Sequence, residues 1–411
     1  MTKDLYDPSI PTSRGDADAA AAARKPANNI VQGTSAAGVR AVGTQLVAFY
    51  FRAPVKAFFR MRVDYMQMVR AVNPLIQAGE RWSFRQTTPL LLAHAVKHYG
   101  WGFIPNQVLP PLIANASVGA LLYTTYLTTL STLHAPSSHH SRRVHPPPPP
   151  TATFTAGLLA GTLQSIVAAP LDALVIRFKV SEMLTGQYSS MWTYAHHKLR
   201  EIGPRGVFAG YGLSLLKESL GYGVFFAAFE GVKQQGFYGY ARWYYGRGLR
   251  PGEETTVRPH FTMEPAFLLA AGMAASVCQQ VVQHPLGKVQ DVHWGRLESM
   301  DYAAKLVPQG GGGGAGAGAG AGGGGVRAAW RVYANAYRDT WVQCALQKEK
   351  VGGWARWLYR GFVMNTLRQV PSTSAGLIVF ELVRRRYALV GEEAAIRVEG
   401  EDGGVVTILL N

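Results

Sequence analysis

The feature that most constrains this chain is an apolar segment that occurs twice, with a proline near its end. The stretch "AGLLAGTLQSIVAAPLDAL", which contains Pro170, aligns without a gap with "AGMAASVCQQVVQHPLGKV", which contains Pro285. Pro54, in the more charged stretch "YFRAPVKAFFR", lies almost as far before Pro170 as Pro170 lies before Pro285. Self-similarity at a fixed period indicates a structure built from equivalent units. The sequence therefore predicts three units, of which the first is the most divergent.

A second repeated segment supports the same three units. The stretch "GYGLSLLKESLGYGVFFAAFEGVK" from Gly210 aligns without a gap with "GFVMNTLRQVPSTSAGLIVFELVR" from Gly361. Both place an aromatic residue, a glutamate and a base at the same offsets. The stretch "NQVLPPLIANASVGALLYTTYLTT" from Asn106 fits this frame, with Tyr126 in place of the glutamate. Two apolar segments in each of three units predict six helices.

Composition and charge spacing favour a membrane protein. The chain is 48% hydrophobic and only 16% charged, whereas soluble domains average about 25% charged residues. Three runs without a charged residue lie between Lys97 and Arg142, between Arg143 and Asp172, and between Glu264 and Lys288. Each exceeds the roughly 20 residues that a helix needs to cross a bilayer. Three further apolar segments, at 36–62, 211–237 and 361–387, are interrupted by charge. We therefore expect an all-α membrane protein.

Small residues recur on the two best-matched segments. Gly157 and Gly161 align with Gly272 and Ser276. Such small-xxx-small pairs let membrane helices approach closely, so we expect these positions to be packing sites.

The same patterns divide the chain into segments. We expect an N-terminal tail, a first unit, a Pro/His-rich linker, a second unit, a second linker, a third unit with a Gly/Ala-rich insert, and an acidic tail. Their bounds are 1–35, 36–135, 136–151, 152–237, 238–263, 264–388 (insert 310–325) and 389–411.

In these residues the chain resembles the mitochondrial carrier family. Members carry P-x-[DE]-x-x-[KR] on each odd helix, [FY]-[DE]-x-x-[KR] on each even helix, and an aromatic residue, a base and glycine before the even helix. Here "YRG" at Tyr359–Gly361 fits that last element fully, and "FAG" at Phe208–Gly210 fits it in part. The resemblance implies six transmembrane helices in three pseudo-symmetric repeats, each with a short matrix helix. It also implies exchange of small metabolites across the inner mitochondrial membrane.

The resemblance further implies a monomer without cofactor or metal, in contact with membrane lipids, cardiolipin among them. The sequence contains no hydrolase elbow, zinc-site or phosphate-loop motif, so we do not expect an enzyme. We expect no nucleic-acid partner, because the positive charge is spread among long apolar runs. The GxGxxG pattern within 310–325 lacks the strand and helix that a phosphate loop requires.

Gate residues follow from the family motifs. Helix kinks are expected at Pro54, Pro170 and Pro285, and gate charges at Asp172, Glu230, Lys233, Glu381 and Arg384. The odd-helix ring is eroded: Val175 replaces the base after Asp172, and Gly287 and Gln290 replace both members in the third unit. A substitute pair between Lys56 and Asp172 is conceivable. At the other ring, we expect Glu230 to pair with Arg384, which leaves Lys233 and Glu381 without partners from Thr129 and Tyr126 of the first unit.

Substrate contacts in the family lie seven and eight residues after the glycine of each even helix. Carried over, these are Ile113 and Ala114, Lys217 and Glu218, and Arg368 and Gln369. Lys217 and Arg368 would hold a carboxylate, and Glu218 an ammonium group. In the competing interpretation, Lys217 only extends to the membrane interface, as long side chains do. Gln279, Gln280 and Gln283 are polar for a membrane span, and we expect some of them to line the cavity.

Two functions remain open from the sequence. The first is transport of a small carboxylate-bearing metabolite, such as an amino acid or a keto acid, by alternating access. The second is a carrier fold without transport, acting as an adaptor, insertion factor or morphology factor, with the outer mitochondrial membrane as its alternative location. The eroded ring favours the second, and the three charged residues at the contact positions favour the first.

Overall fold

The computed structural model describes residues 64, 66–73, 88–138, 146–178, 188–246, 254–260, 263–306, 323–367, 369–370, 395–399 and 405–409. Helices dominate these residues, which confirms the predicted helical class. The helices are α1 Gln67–Ala71, α2 Thr88–Tyr99, α3 Leu109–Leu133, α4 Pro150–Arg177, α5 Met191–Val207, α6 Tyr211–Glu230, α7 Phe237–Gly246, α8 Met263–Leu306, α9 Gly323–Val351 and α10 Trp354–Leu358. The strands are β1 Glu254–Val257, β2 Ala395–Glu399 and β3 Val405–Leu409. π-helical turns at Ile104–Val108 and Gly231–Gly236 adjoin α3 and α6.

Among the described residues, three helical segments are long and apolar enough to cross a membrane. They are Ile104–Leu133, Pro150–Val175 and Met263–Leu297. These segments correspond to the three charge-free runs of the sequence, so that prediction is confirmed. α6, which carries Lys217 and Glu218, is not one of the three, yet it packs between α4 and α8.

Helix ends follow from local sequence. Pro150 begins α4, where its missing N–H costs nothing. Ser190 caps α5, because its hydroxyl accepts a hydrogen bond from the backbone N–H of Thr193 at 3.2 Å. Gly210 precedes α6 with a φ of 74°, and a Cβ there would lie 2.7 Å from the His293 ring. Both its conformation and its surroundings therefore require glycine.

Close packing of α4 against α6 depends on glycines of α4. A Cβ on Gly157 would lie 2.5 Å from the carbonyl oxygen of Tyr222, and one on Gly161 would lie 2.6 Å from that of Glu218. Neither residue could carry a larger side chain without separating the helices. On α8, Gly272 and Ser276 are buried, and the Ser276 hydroxyl donates to the Gly272 carbonyl at 2.7 Å.

An aromatic core joins α3, α4 and α6. The Tyr126 ring of α3 stacks on Phe226 of α6 with centroids 3.6 Å apart, and Phe226 also meets Tyr123 edge to face. Alanines of α4 and α8 fill the remaining space. Tyr126 thus provides aromatic packing at the position where the other units have a glutamate.

A three-stranded sheet, which the sequence analysis did not expect, joins the 238–263 linker to the C-terminal tail. β3 lies in the centre, parallel to β1 and antiparallel to β2. Ile408 of β3 is fully buried against Phe237, Tyr238 and Ala241 of α7. Non-local strand pairing of this kind leaves little local pattern in a sequence.

Candidate functional site

The candidate site is built around two adjacent charged residues of α6, the helix that packs between α4 and α8. Lys217 and Glu218 of α6 are only 8% and 6% exposed. The Lys217 Nζ lies 3.3 Å from Glu218 Oε1 and 5.9 Å from the centre of the Trp294 ring on α8. Burial of a charge is costly unless it is paired and hydrogen-bonded. The pair is therefore an interior feature, and the interpretation of Lys217 as a side chain that extends to the surface is not supported.

Gln290 of α8 completes the environment of Lys217. Its Oε1 accepts a hydrogen bond from Lys217 Nζ at 2.6 Å, and its Nε2 donates to the hydroxyl of Ser214 on α6. The side chain is 1% exposed. One amide thus satisfies two polar groups of the neighbouring helix.

Gln283 occupies the corresponding place beside Glu218. Its Nε2 lies 3.4 Å from Glu218 Oε2 and 3.4 Å from the carbonyl oxygen of Lys217. Gly221 makes room for this side chain, because a Cβ there would lie 2.3 Å from Gln283 Nε2. Gln283 and Gln290 are two helical turns apart, so both lie on the face of α8 that meets α6.

A small pocket adjoins the pair at the end where α6 begins. Asp172 and Ala173 of α4, Ser214 of α6 and Trp294 of α8 are among its lining residues. Asp172, the acid that the sequence analysis assigned to the gate, therefore lies in the same region as the Ser214–Gln290–Lys217 chain of contacts.

The third pair of predicted contacts is described in part. Gln369 accepts a hydrogen bond from Gln280 Nε2, and its own Nε2 donates to Gln279 Oε1 at 3.1 Å. Both partners are buried residues of α8. Arg368 lies outside the described residues, so its predicted role in binding remains a prediction.

The first pair depends on the frame chosen for α3. Helical structure begins at residue 103, directly after Gly102, as it begins at Tyr211 after Gly210. Offsets of seven and eight from Gly102 give Leu109 and Pro110, one turn before Ile113 and Ala114. Ile113 is exposed and Ala114 half-buried. In either frame this helix contributes apolar side chains.

The predicted gates are partly described. Pro170 and Pro285 lie inside α4 and α8, which continue beyond them. Lys233 Nζ lies 3.8 Å from Glu230 Oε1, three residues earlier in the chain. The sequence analysis considered partners on other helices only. Gln234 also donates to Glu230 Oε2 at 2.6 Å. Pro54, Glu381 and Arg384 lie outside the described residues.

Sequence reasoning missed the partners of the charged pair. Gln290 was noticed only as a replacement for a gate base, and Ser214 was not considered. The spacing of Gln283 and Gln290 was the available signal, since two amides on one face of an apolar helix require partners.

Comparisons with known proteins show similarity to mitochondrial carriers. A family model described as mitochondrial carrier protein matches residues 146–238, which include α4, α5 and α6. Solute carrier family 25 member 45 of Mus musculus is 34% identical over 132 residues, 30% of this chain and 45% of that protein. The mitochondrial adenyl nucleotide antiporter of Danio rerio is 24% identical over 231 residues, 56% of this chain and 37% of that protein.

A third relative, the mitochondrial glycine transporter of Pyricularia oryzae, is 27% identical over 119 residues, 28% of this chain and 35% of that protein. The chain spans about half the length, or less, of these curated relatives. The matched region contains the glycine-packed α4–α6 contact and the buried charged pair. Over residues 146–238 the chain matches the mitochondrial carrier family, and these relatives, together with three helices apolar enough to cross a membrane, support a divergent member of that family.

Proposed function

We propose that this protein is a mitochondrial transporter that exchanges a small carboxylate-bearing metabolite, an amino acid or a related acid, by alternating access. The observation that carries the proposal is the buried Lys217–Glu218 pair, on a helix packed between two helices that are long and apolar enough to cross a membrane. Ionisable residues at membrane depth generally mark substrate or ion pathways. The relatives are also described as carriers or transporters, and one of them as a glycine transporter.

The two charges suit a zwitterionic ligand. The ammonium of Lys217 can donate to a ligand carboxylate, and the carboxylate of Glu218 can accept from a ligand ammonium group. Lys217 and Glu218 lie 3.3 Å apart and satisfy each other in the described state. A ligand with both charges would replace that internal contact with two contacts of its own, so neither side chain would be left unpaired.

Alternating access requires that binding favours a different conformation from the ligand-free one. The Lys217–Gln290 and Glu218–Gln283 contacts both join α6 to α8. A ligand that replaces them changes the interactions that hold these helices together. We place this activity in the inner mitochondrial membrane.

Uptake into proteoliposomes tests the proposal. The purified full chain would be reconstituted and offered labelled glycine, glutamate, 2-oxoglutarate and ADP, with the same solute inside. We expect exchange of an amino acid or a keto acid, and its loss in Lys217→Ala. Gln164→Leu, which removes a buried amide of α4 outside the pair, is the matched control and should retain exchange. Exchange of ADP alone, or equal activity in Lys217→Ala, contradicts the proposed site.

The second candidate is a carrier fold that does not transport. It is favoured by the same burial, because the charges of α6 are already satisfied within the protein. It is also favoured by the odd-helix ring, where the uncharged residues Val175, Gly287 and Gln290 stand at positions that carry charges in the family motif. This candidate predicts no exchange of any solute, and the same abundance of protein in mitochondria for the wild type and for the double variant Lys217→Met/Glu218→Gln.

A further inference from the structure

Gln290 connects the charged pair to the end of the third odd helix. It lies five residues after Pro285 on α8, at the position where the family motif carries a base. Its two hydrogen bonds both cross to α6, one to Lys217 Nζ at 2.6 Å and one to Ser214. Gln290 therefore hydrogen-bonds α8 to α6, which is an even helix of the repeat. In the family motif, the charges of this gate lie on the odd helices instead.

The same contact occupies the side chain that a ligand would need. The Lys217 ammonium has three N–H donors. The described contacts engage it with Gln290, with Glu218 and with the face of Trp294. A ligand carboxylate can reach full contact with Lys217 only by taking the place of one of these acceptors. Of the two oxygen acceptors Gln290 is the neutral one, and a ligand carboxylate in its place adds an attraction between opposite charges that an amide lacks.

We propose that the Lys217–Gln290 hydrogen bond is a latch between α6 and α8, and that a ligand carboxylate opens it by displacing the Gln290 amide oxygen from Lys217. The assignment rests on the proposed function and makes Gln290 a positioning residue of the same site. It links binding to opening through one exchange of acceptors. It also supplies a closing contact where Val175 and Gly287 have removed the charges of the ring.

A thiol-labelling experiment tests the latch without any ligand. Ala173, a buried residue of α4 that lines the adjoining pocket, would be changed to cysteine in a full chain carrying Cys278→Ser and Cys344→Ala. The rate of reaction with N-ethylmaleimide then reports how often the pocket opens. Loss of a hydrogen bond to a charged group predicts an increase of about tenfold in that rate for Gln290→Leu. Gln290→Glu, which places a carboxylate on Lys217, should reduce the rate below that of the parent.

The matched control is Gln164→Leu, because Gln164 is also a buried glutamine of a membrane-spanning helix but lies on α4. It should leave the labelling rate at the parent value. Should Gln290→Leu disturb folding, Gln290→Glu still decides the matter, since a latch predicts slower labelling and a misfolded protein predicts faster labelling. Unchanged rates in both Gln290 variants overturn the proposal.

The ligand half is tested by adding glycine to the parent protein and to the variants. We expect glycine to accelerate labelling of the parent, with little further effect in Gln290→Leu. For uptake in proteoliposomes, we expect a lower KM in Gln290→Leu and a higher KM in Gln290→Glu. Glycine acceleration that is equal in the parent and in Gln290→Leu contradicts displacement of the amide. If no solute is exchanged at all, the proposed function fails, while the ligand-free labelling still decides whether the latch exists.

Discussion

At the scale of single residues, the pair formed by Lys217 and Glu218 is the most consequential feature. Both side chains are buried, and the charge of each compensates the charge of the other. Removing one member of a buried pair leaves an uncompensated charge, which costs about 3–5 kcal/mol. Replacing both with uncharged residues of similar size avoids that cost.

We therefore predict strong non-additivity in a double-mutant cycle. Lys217→Met and Glu218→Gln should each lower the unfolding temperature of the detergent-purified protein, and the double variant should recover most of the loss. Thermal unfolding monitored by circular dichroism measures all four proteins. Additive losses would mean that the two charges do not act as a pair in the folded protein.

At the scale of helices, glycine determines how closely α4 approaches α6. Gly161→Ala would place a methyl group 2.6 Å from the backbone oxygen of Glu218, a contact that no side-chain rotation relieves. Overpacking of this kind destabilises by about 1–3 kcal/mol. Gly295→Ala on α8 is the matched control, because no atom lies within 4 Å of the added Cβ and alanine favours a helix by up to about 1 kcal/mol.

The measurement is again thermal unfolding. Gly161→Ala should unfold at a lower temperature than the parent protein, and Gly295→Ala at the same or a higher temperature. Equal stability of Gly161→Ala and the parent would show that α4 and α6 can separate without cost, in conflict with the packing of the described helices.

The helices were also the most predictable part of the molecule. Charge-free runs identified the three helical segments that are long and apolar enough to cross a bilayer, because length and composition alone decide that property. The small residues Gly157 and Gly161 were assigned correctly to packing, because only small residues allow helix backbones to meet. The partners of Lys217 and Glu218 could not be predicted, since Gln283 and Gln290 come from a distant segment and depend on the rotation of α8 against α6.

At the scale of the whole molecule, the sheet joins segments that are far apart in sequence. β1 precedes α8, while β2 and β3 belong to the C-terminal tail, and Ile408 of β3 is buried against α7. The sequence analysis treated the tail as an acidic extension because strand pairing between distant segments leaves no periodic pattern as strong as that of a helix. The sheet therefore lies outside what the repeats could predict.

We predict that Ile408→Ala destabilises this sheet. Truncation of a buried isoleucine to alanine costs about 2–5 kcal/mol where the site cannot collapse. The backbone amides of 254–257 should then exchange hydrogen faster, which mass spectrometry detects. Thr256→Ala, an exposed position of β1, is the control and should change exchange little. Unaltered protection in Ile408→Ala would mean that the packing on α7 does not hold β3 in place.

The order of the strands has a consequence for how the protein is made. β1 leaves the ribosome before α8, but its partner β3 is synthesised only after α8, α9 and α10. β1 therefore cannot pair with β3 until the intervening helices have been translated. Pairing of β1 with β3 thus follows synthesis of these helices, and an antibody or a protease that recognises unpaired 254–257 would distinguish chains that lack β3 from chains that contain it.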